Sequence, residues 1–305
     1  IGQEFRVNVA TGLPAQLGNF LGDIIAPVLQ AIAQLDDTTV SDDLLTMTNV
    51  SVRAMTLGFG DVKVFVGLGN PDMSKDLTKP ENQEGLFGFL VEEMDFAAVM
   101  FKSSFVPLPP MFAAYAKIRG FEFIGAPGLI ELEVGQLELY MNGGNLWPSL
   151  TTGPTVDFLS SFPAIAAGSE GGPKPAGFAV PTGGTPIYLT LPASNRVGLS
   201  LSNATLRILD FLHFHGNLAF DLGATQQITF NTGLGADGAA LVEALGFEKV
   251  IDVLGALFGL ESLDGFRKLK GFDYRSLIVG GSDISAFVGF GRPDFNRPFT
   301  EQNLM

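Results

Sequence analysis

Apolar and polar positions alternate along most of this chain, and the alternation predicts strands. In "LIELEVGQLELYM" (129–141), Ile130, Leu132 and Val134 face one way and Leu129, Glu131 and Glu133 the other. The apolar set resumes at Leu137, Leu139 and Met141, one position out of phase, so Gly135 is expected to mark a bulge or bend. Similar patterns predict strands over 48–58, 62–68, 85–101, 112–124, 128–141, 187–191, 197–222 and 275–290. Within 204–222, two strands are expected to meet near Gly216. Only two segments carry helical spacing. In 13–35, Leu17, Leu21, Ile24, Val28 and Ile32 form one apolar stripe, with Pro27 placed to kink it. The other helix is expected over 238–260. Residues 143–186, rich in Gly, Pro, Ser and Thr, read as a long flexible loop centred on "GSEGGPKPAG".

The strand pattern contains a repeat. "DVKVFVGLGNPD" (61–72) returns as "DISAFVGFGRPD" (283–294), and the match reaches back to Arg53 and Arg275. Over Arg53–Asp72 and Arg275–Asp294, nine of twenty positions are identical at an offset of 222 residues. Shared positions include Phe65 with Phe287, Gly67 with Gly289, Pro71 with Pro293 and Asp72 with Asp294. Earlier blocks recur in the same order: 5–13 parallels 227–234, and 21–32 parallels 247–258. A period this long points to whole modules in tandem rather than a short solenoid repeat. Residues 1–60 are read as the C-terminal part of one module, 61–282 as one complete module and 283–305 as the start of the next. The predicted fold class is mainly β: a long curved antiparallel sheet packed on one helical segment per module.

Composition narrows the functions. The 305 residues are 46% hydrophobic and 16% charged, with 27 Phe, so a large apolar interior is expected. A net charge of −14 opposes nucleic-acid binding and docking to anionic lipid headgroups. The absence of Cys removes disulfides, thiolate metal sites and Cys nucleophiles together. No run approaches the ~18 apolar residues of a membrane-spanning helix. The start at Ile1 is read as that of a processed chain or a piece of a longer one.

"GLFGFLVEEMDFAAVMFK", "YAKIRGFEFIGAPGLIELEVGQLELYMNGG", "TVDF", "ILDFLHFHGNLAFDL" and "LIVGGSDISAFVGFGRPD" follow one another here. Together they resemble the long tandem repeats of giant bacterial cell-surface and secreted proteins of the adhesin-like, hemolysin type. The resemblance covers nearly the whole chain and implies an extracellular or cell-surface module within a very long protein. In such repeats an Asp-rich, calcium-suited loop often follows the Phe-Val-Gly turn. Here that loop reads "NPDMSKDLTKPENQEG", interrupted by Lys75, Lys79 and Pro80.

The remaining chemistry is sparse. Asn70, Asp72, Asp76 and Glu81 are the candidate calcium ligands, but they lack alternating D-x-D-x-D spacing, and a solvated loop is the preferred reading. No other cofactor is expected. His213 and His215 share a strand face, yet no further His or Cys exists to complete a zinc site. The pairs Glu92–Glu93 and Glu131–Glu133 read as a solvated face rather than an acid–base couple. Asn49 and Asn203 match the N-glycosylation acceptor pattern. The leading expectation is a non-catalytic structural module whose partners are copies of itself or adjacent modules. The alternative is an apolar β-groove for lipid, lined by Phe87, Phe89, Phe96, Phe121, Phe123, Phe214 and Phe220. An enzyme is disfavoured for want of a nucleophile–base constellation.

Overall fold

The structure is a computed structural model that describes residues 4–13, 26–106, 108–144, 153–167, 172–231, 268–295 and 297–302. Twelve strands follow in chain order: β1 (Glu4–Ala10), β2 (Thr39–Val40), β3 (Thr46–Leu68), β4 (Phe87–Ser103), β5 (Met111–Ile124), β6 (Ile130–Gly143), β7 (Thr155–Asp157), β8 (Phe178–Val180), β9 (Ile187–Leu189), β10 (Arg196–Ile208), β11 (Leu212–Asn231) and β12 (Lys268–Val288). Ten of them form one antiparallel sheet in the order β12-β11-β10-β6-β5-β4-β3-β1-β7, with β2 also on β3. β8 and β9 form a separate hairpin. Helix α1 covers 26–34 and α2 is the single turn Phe158–Ser161. The mainly β, antiparallel expectation therefore holds. Residues 14–25 of the first expected helix, and all of 238–260, lie outside the described residues.

Three expectations need correction. The strands expected at 48–58 and 62–68 are one strand, β3, because Asp61 adopts a left-handed φ of 57° within the ladder instead of opening a turn. The hairpin expected near Gly216 turns instead at Leu209 and Asp210, whose φ values of 56° and 50° supply the paired left-handed geometry of a tight β-turn. The supposed loop 143–186 contains β7, α2 and β8. These pieces were unreadable by alternation because each is only three or four residues long.

That excursion builds the main core. Val50 and Val52 of β3, Val99 and Phe101 of β4, and Met111 of β5 are buried against Val156, Phe158, Phe178, Val180 and Leu189. Phe178 meets Phe101 and Phe5 edge-on, each at 5.1 Å. Full burial of each such side chain contributes roughly 1.5–3 kcal/mol. Ala26 and Ala33 of α1 close the same cluster. Asn142 ties the excursion to β6, its Nδ2 donating to the carbonyls of Val156 (2.9 Å) and Pro192 (2.7 Å). A smaller cluster joins Leu77 and Leu86 of the β3–β4 connection to Leu90 and Ile124, with Phe65 packed against it.

The sheet's second face follows from register. Between β10 and β11, Ala204 pairs Gly216 but Leu201 pairs Leu218, so β10 carries one extra residue near Asn203. Ala204 and Leu201, three apart, therefore point the same way. No such shift separates β10 from β6, β6 from β5 or β5 from β4 at this level. Each of these strands must then turn over at the same height: at Gly135 in β6, Gly120 in β5 and Glu92–Glu93 in β4. Left-handed φ values at Asp61 (57°), Gly120 (62°), Asn203 (53°) and Asp283 (54°) mark this line of bulges. Its effect is to keep one face apolar from end to end. In β4 that face carries Phe87, Phe89 and Val91, then Met94, Phe96, Ala98 and Met100. In β6 it carries Ile130, Leu132 and Val134, then Leu137, Leu139 and Met141. The opposite face carries the main core and most of the charged residues, with Arg53 and Lys102 left at one end of the apolar side.

The two ends of the chain share this geometry. β1 pairs β3 through Val7↔Val50, Val9↔Met47 and Ala10↔Thr46, with a shift between Val7 and Val9. β11 pairs β12 through Ile228↔Phe272, Phe230↔Leu269 and Asn231↔Lys268, with a shift between Ile228 and Phe230. Every β12 partner lies 222 positions after its β3 counterpart. The bulged residues Asp61 and Asp283, and the left-handed Gly69 (108°) and Gly291 (120°), obey the same offset.

Candidate functional site

The expected calcium loop satisfies its own acids. Asp72 accepts hydrogen bonds from the Ser74 amide (3.1 Å) and hydroxyl (2.6 Å), and Asp76 does the same with Thr78 (3.1 and 2.6 Å). These bonds, with Lys75 and Lys79 beside them, hold both carboxyls below the ordinary range. The sequence here is a doubled turn, Asp-Met-Ser-Lys then Asp-Leu-Thr-Lys. Buried Leu77 pins it to the sheet. Asn70 and Glu81 are exposed. Among the described residues, no three His, Cys, Asp or Glu side chains converge as a metal site would require.

The repeat-turn residues have packing and backbone roles. Gly67 lies so close to β4 that a Cβ there would stand 2.2 Å from the Phe87 carbonyl oxygen and 2.7 Å from Gly88 Cα. Gly289 donates its amide to the Phe211 carbonyl at 2.9 Å. Phe287 packs near His213 (5.8 Å) and Phe299 (6.0 Å). After Pro71 and Pro293 the chain makes matching turns: the Lys75 amide donates to Asp72 (3.0 Å), and the Arg297 amide to Asp294 (3.1 Å).

Both acceptor-pattern asparagines occupy left-handed positions inside strands, at φ 59° for Asn49 and 53° for Asn203. Asn is the residue type, after Gly, that best tolerates this conformation, so backbone geometry accounts for both. Both are exposed, and the Asn49 Nδ2 already donates to the Asp37 carbonyl at 3.0 Å.

On the polar face the acids divide. Glu93 and Asp95 pair with Arg119 (2.6 and 3.1 Å). Glu131 pairs with Arg207 (3.2 Å) and Arg292 (2.6 Å). Glu122 is different: it lies directly opposite Glu133 and near Glu92. Burial, then these like charges, push its carboxyl up to about 7. Nothing in the sequence marked it, because a cross-strand neighbour is invisible without register. His213 is fully buried, and neither ring nitrogen has a hydrogen-bond partner among the described residues. His215 instead bonds Thr205 (3.0 Å) and stacks on Phe295 (5.3 Å).

An open cleft of about 280 Å³ is lined by Tyr115, Tyr140, Tyr188, Leu189, Thr190 and Leu191. Burial and the Glu138 carboxylate push the Tyr115 phenol up to about 12, so it stays protonated, and its hydroxyl donates to Glu138 at 3.2 Å. Tyr140 donates to Asp221 (2.7 Å), which also accepts from Arg196 Nε (2.9 Å). Two of the three tyrosines in the cleft, Tyr115 and Tyr140, are thus engaged by carboxylates.

The seven phenylalanines expected to line an apolar groove, from Phe87 to Phe220, all lie on the apolar face. Phe89 stacks on Phe121 at 5.4 Å and Phe59 on Phe96 at 5.0 Å. Leu57 (61%), Val66 (63%), Phe87 (48%) and Val279 (58%) remain exposed there. No helix among the described residues is long and apolar enough to cross a membrane. No protein-family model, curated protein or solved structure matches this chain.

Proposed function

We propose that this chain is a non-catalytic structural repeat module of a very long extracellular or cell-surface protein. In this reading, curved sheets of successive modules join end to end as a fibre, sheath, layer or stalk. The observation that carries it is the residue-for-residue equivalence of the β1/β3 and β11/β12 pairings, at an offset of 222 residues from β3 to β12 and 221 from β1 to β11. Chance similarity of two turns would not reproduce register, bulge and left-handed positions together. The apolar face supports self-association, since a contiguous apolar surface beyond a few hundred Å² marks an interaction site. Sedimentation and negative-stain imaging of the full chain test this, with concentration-dependent ordered oligomers expected. A lipid-free monomer at tens of micromolar would remove the self-assembly reading.

The same face favours one second reading, a surface that binds lipid acyl chains. Flotation with neutral phosphatidylcholine vesicles separates the two. Co-flotation that is lost on Phe89→Ser supports lipid; its absence, with oligomers present, supports the module.

A further inference from the structure

We propose that the outer edge of β12 is an acceptor for an antiparallel strand of the β4 type, supplied by a further copy of the repeat. The inference rests on the modular reading above and names the contact by which modules join.

β3 hydrogen-bonds β4 along one edge and β1 along part of the other. β12 reproduces β3 in its pairing on the β1 side, in its bulge and in its following turn. Among the described residues, however, β12 pairs only with β11. Its other edge is therefore the place where β3 holds β4. A strand that presents unpaired amides and carbonyls in this way is a template for a further strand.

The register is specified. Phe59↔Phe96, Val64↔Val91 and Val66↔Phe89 in the β3–β4 ladder place the incoming residues opposite Gly281, Ala286 and Val288. Glycines supply an independent sign. Gly58 of β3 is small because the β8–β9 hairpin lies over it, the Pro181 carbonyl oxygen standing 2.4 Å from where a Cβ would be. Gly280, its equivalent, meets nothing within 4 Å. β12 thus keeps clear the ground that the hairpin covers on β3. Both features fit the same occupant, a copy of the unit that brings its β4 strand to the edge and its hairpin over Gly280.

The test extends the full chain after Met305 by a second copy of residues 84–103, in the spacing of the repeat. Because the chain has no Cys, engineered pairs report without background. Gly281→Cys with the appended Phe96 changed to Cys is expected to oxidise to an intramolecular disulfide. Moving the appended cysteine one position, to Ala97, is expected to reduce cross-linking at least tenfold, since one step turns the side chain to the other face. Amides in 277–288 are expected to exchange at least tenfold more slowly in the extended chain than with the same residues scrambled. Equal cross-linking at both positions, or equal exchange, overturns the proposal. So does full protection of these amides in the unextended chain at nanomolar concentration. If the unextended chain oligomerises while the appended strand fails to pair, only the edge assignment falls. If the strand pairs while the unextended chain stays monomeric, the acceptor edge stands without spontaneous assembly.

Discussion

Glu122 shows how one residue records its neighbours. Its carboxyl, raised from 4.5 to about 7, binds a proton more tightly in the folded chain than in the unfolded one. The resulting stabilisation is complete below about pH 4.5 and is lost as pH rises through about 7. Glu122→Gln is therefore expected to raise the melting temperature at pH 8 and to change little at pH 4. Because the group is partly solvated, the gain is put at about 1 kcal/mol, or roughly 2 °C. Thermal melts of both proteins across that range check it. Asn203 makes the complementary point about backbone. With φ at 53°, Asn203→Gly is expected to be nearly neutral, while Asn203→Val costs roughly 1–2 kcal/mol or more, measured by urea unfolding. At this scale Gly135 was readable as a bulge, because the apolar phase changes around it in one unbroken strand. Asp61 and Asp283 were not, because Asp in a strand pattern looks like the start of a turn.

At the scale of elements, β4, β5 and β6 declared themselves by alternation and lie close to their expected bounds, whereas β3 was divided at Asp61 and the β10–β11 turn was misplaced. The three-residue strands β7 and β8 did not declare themselves, since a period of two needs several repeats to emerge from Gly- and Pro-rich surroundings, whereas β9 lies within the strand expected over 187–191. Yet these pieces complete the main core. β4 allows the two faces to be compared within one strand. Phe101 is fully buried on the core face, so Phe101→Ala is expected to cost about 3–5 kcal/mol. Phe89 is 41% exposed on the apolar face, and Phe89→Ser is expected to cost far less stability while weakening association. Chemical denaturation and sedimentation, run on both variants, separate these effects.

Among the described residues the molecule is a sheet with one face that holds the core and most charges and one that is mainly apolar, open along β12. Assembly through the apolar face is expected to persist in 1 M NaCl, which screens exposed charges, and to strengthen in ammonium sulfate. Light scattering against salt identity distinguishes this from assembly through ion pairs. The repeat itself was legible in twenty residues, because the same packing problem was solved twice with the same side chains. The candidate chemistry was less so, since sequence displays acids and histidines without showing which are already satisfied. The aligned bulges also bear on how such a chain can change over time. Deleting Gly120 alone would turn half of β5 inside out, sending Lys117 and Arg119 toward the phenylalanines and Ile118 toward the acids. Matched deletions in β4, β5, β6 and β10 would be needed to restore agreement. Strand length at that height is thus inherited collectively, and tolerated insertions belong in the connections rather than the ladder.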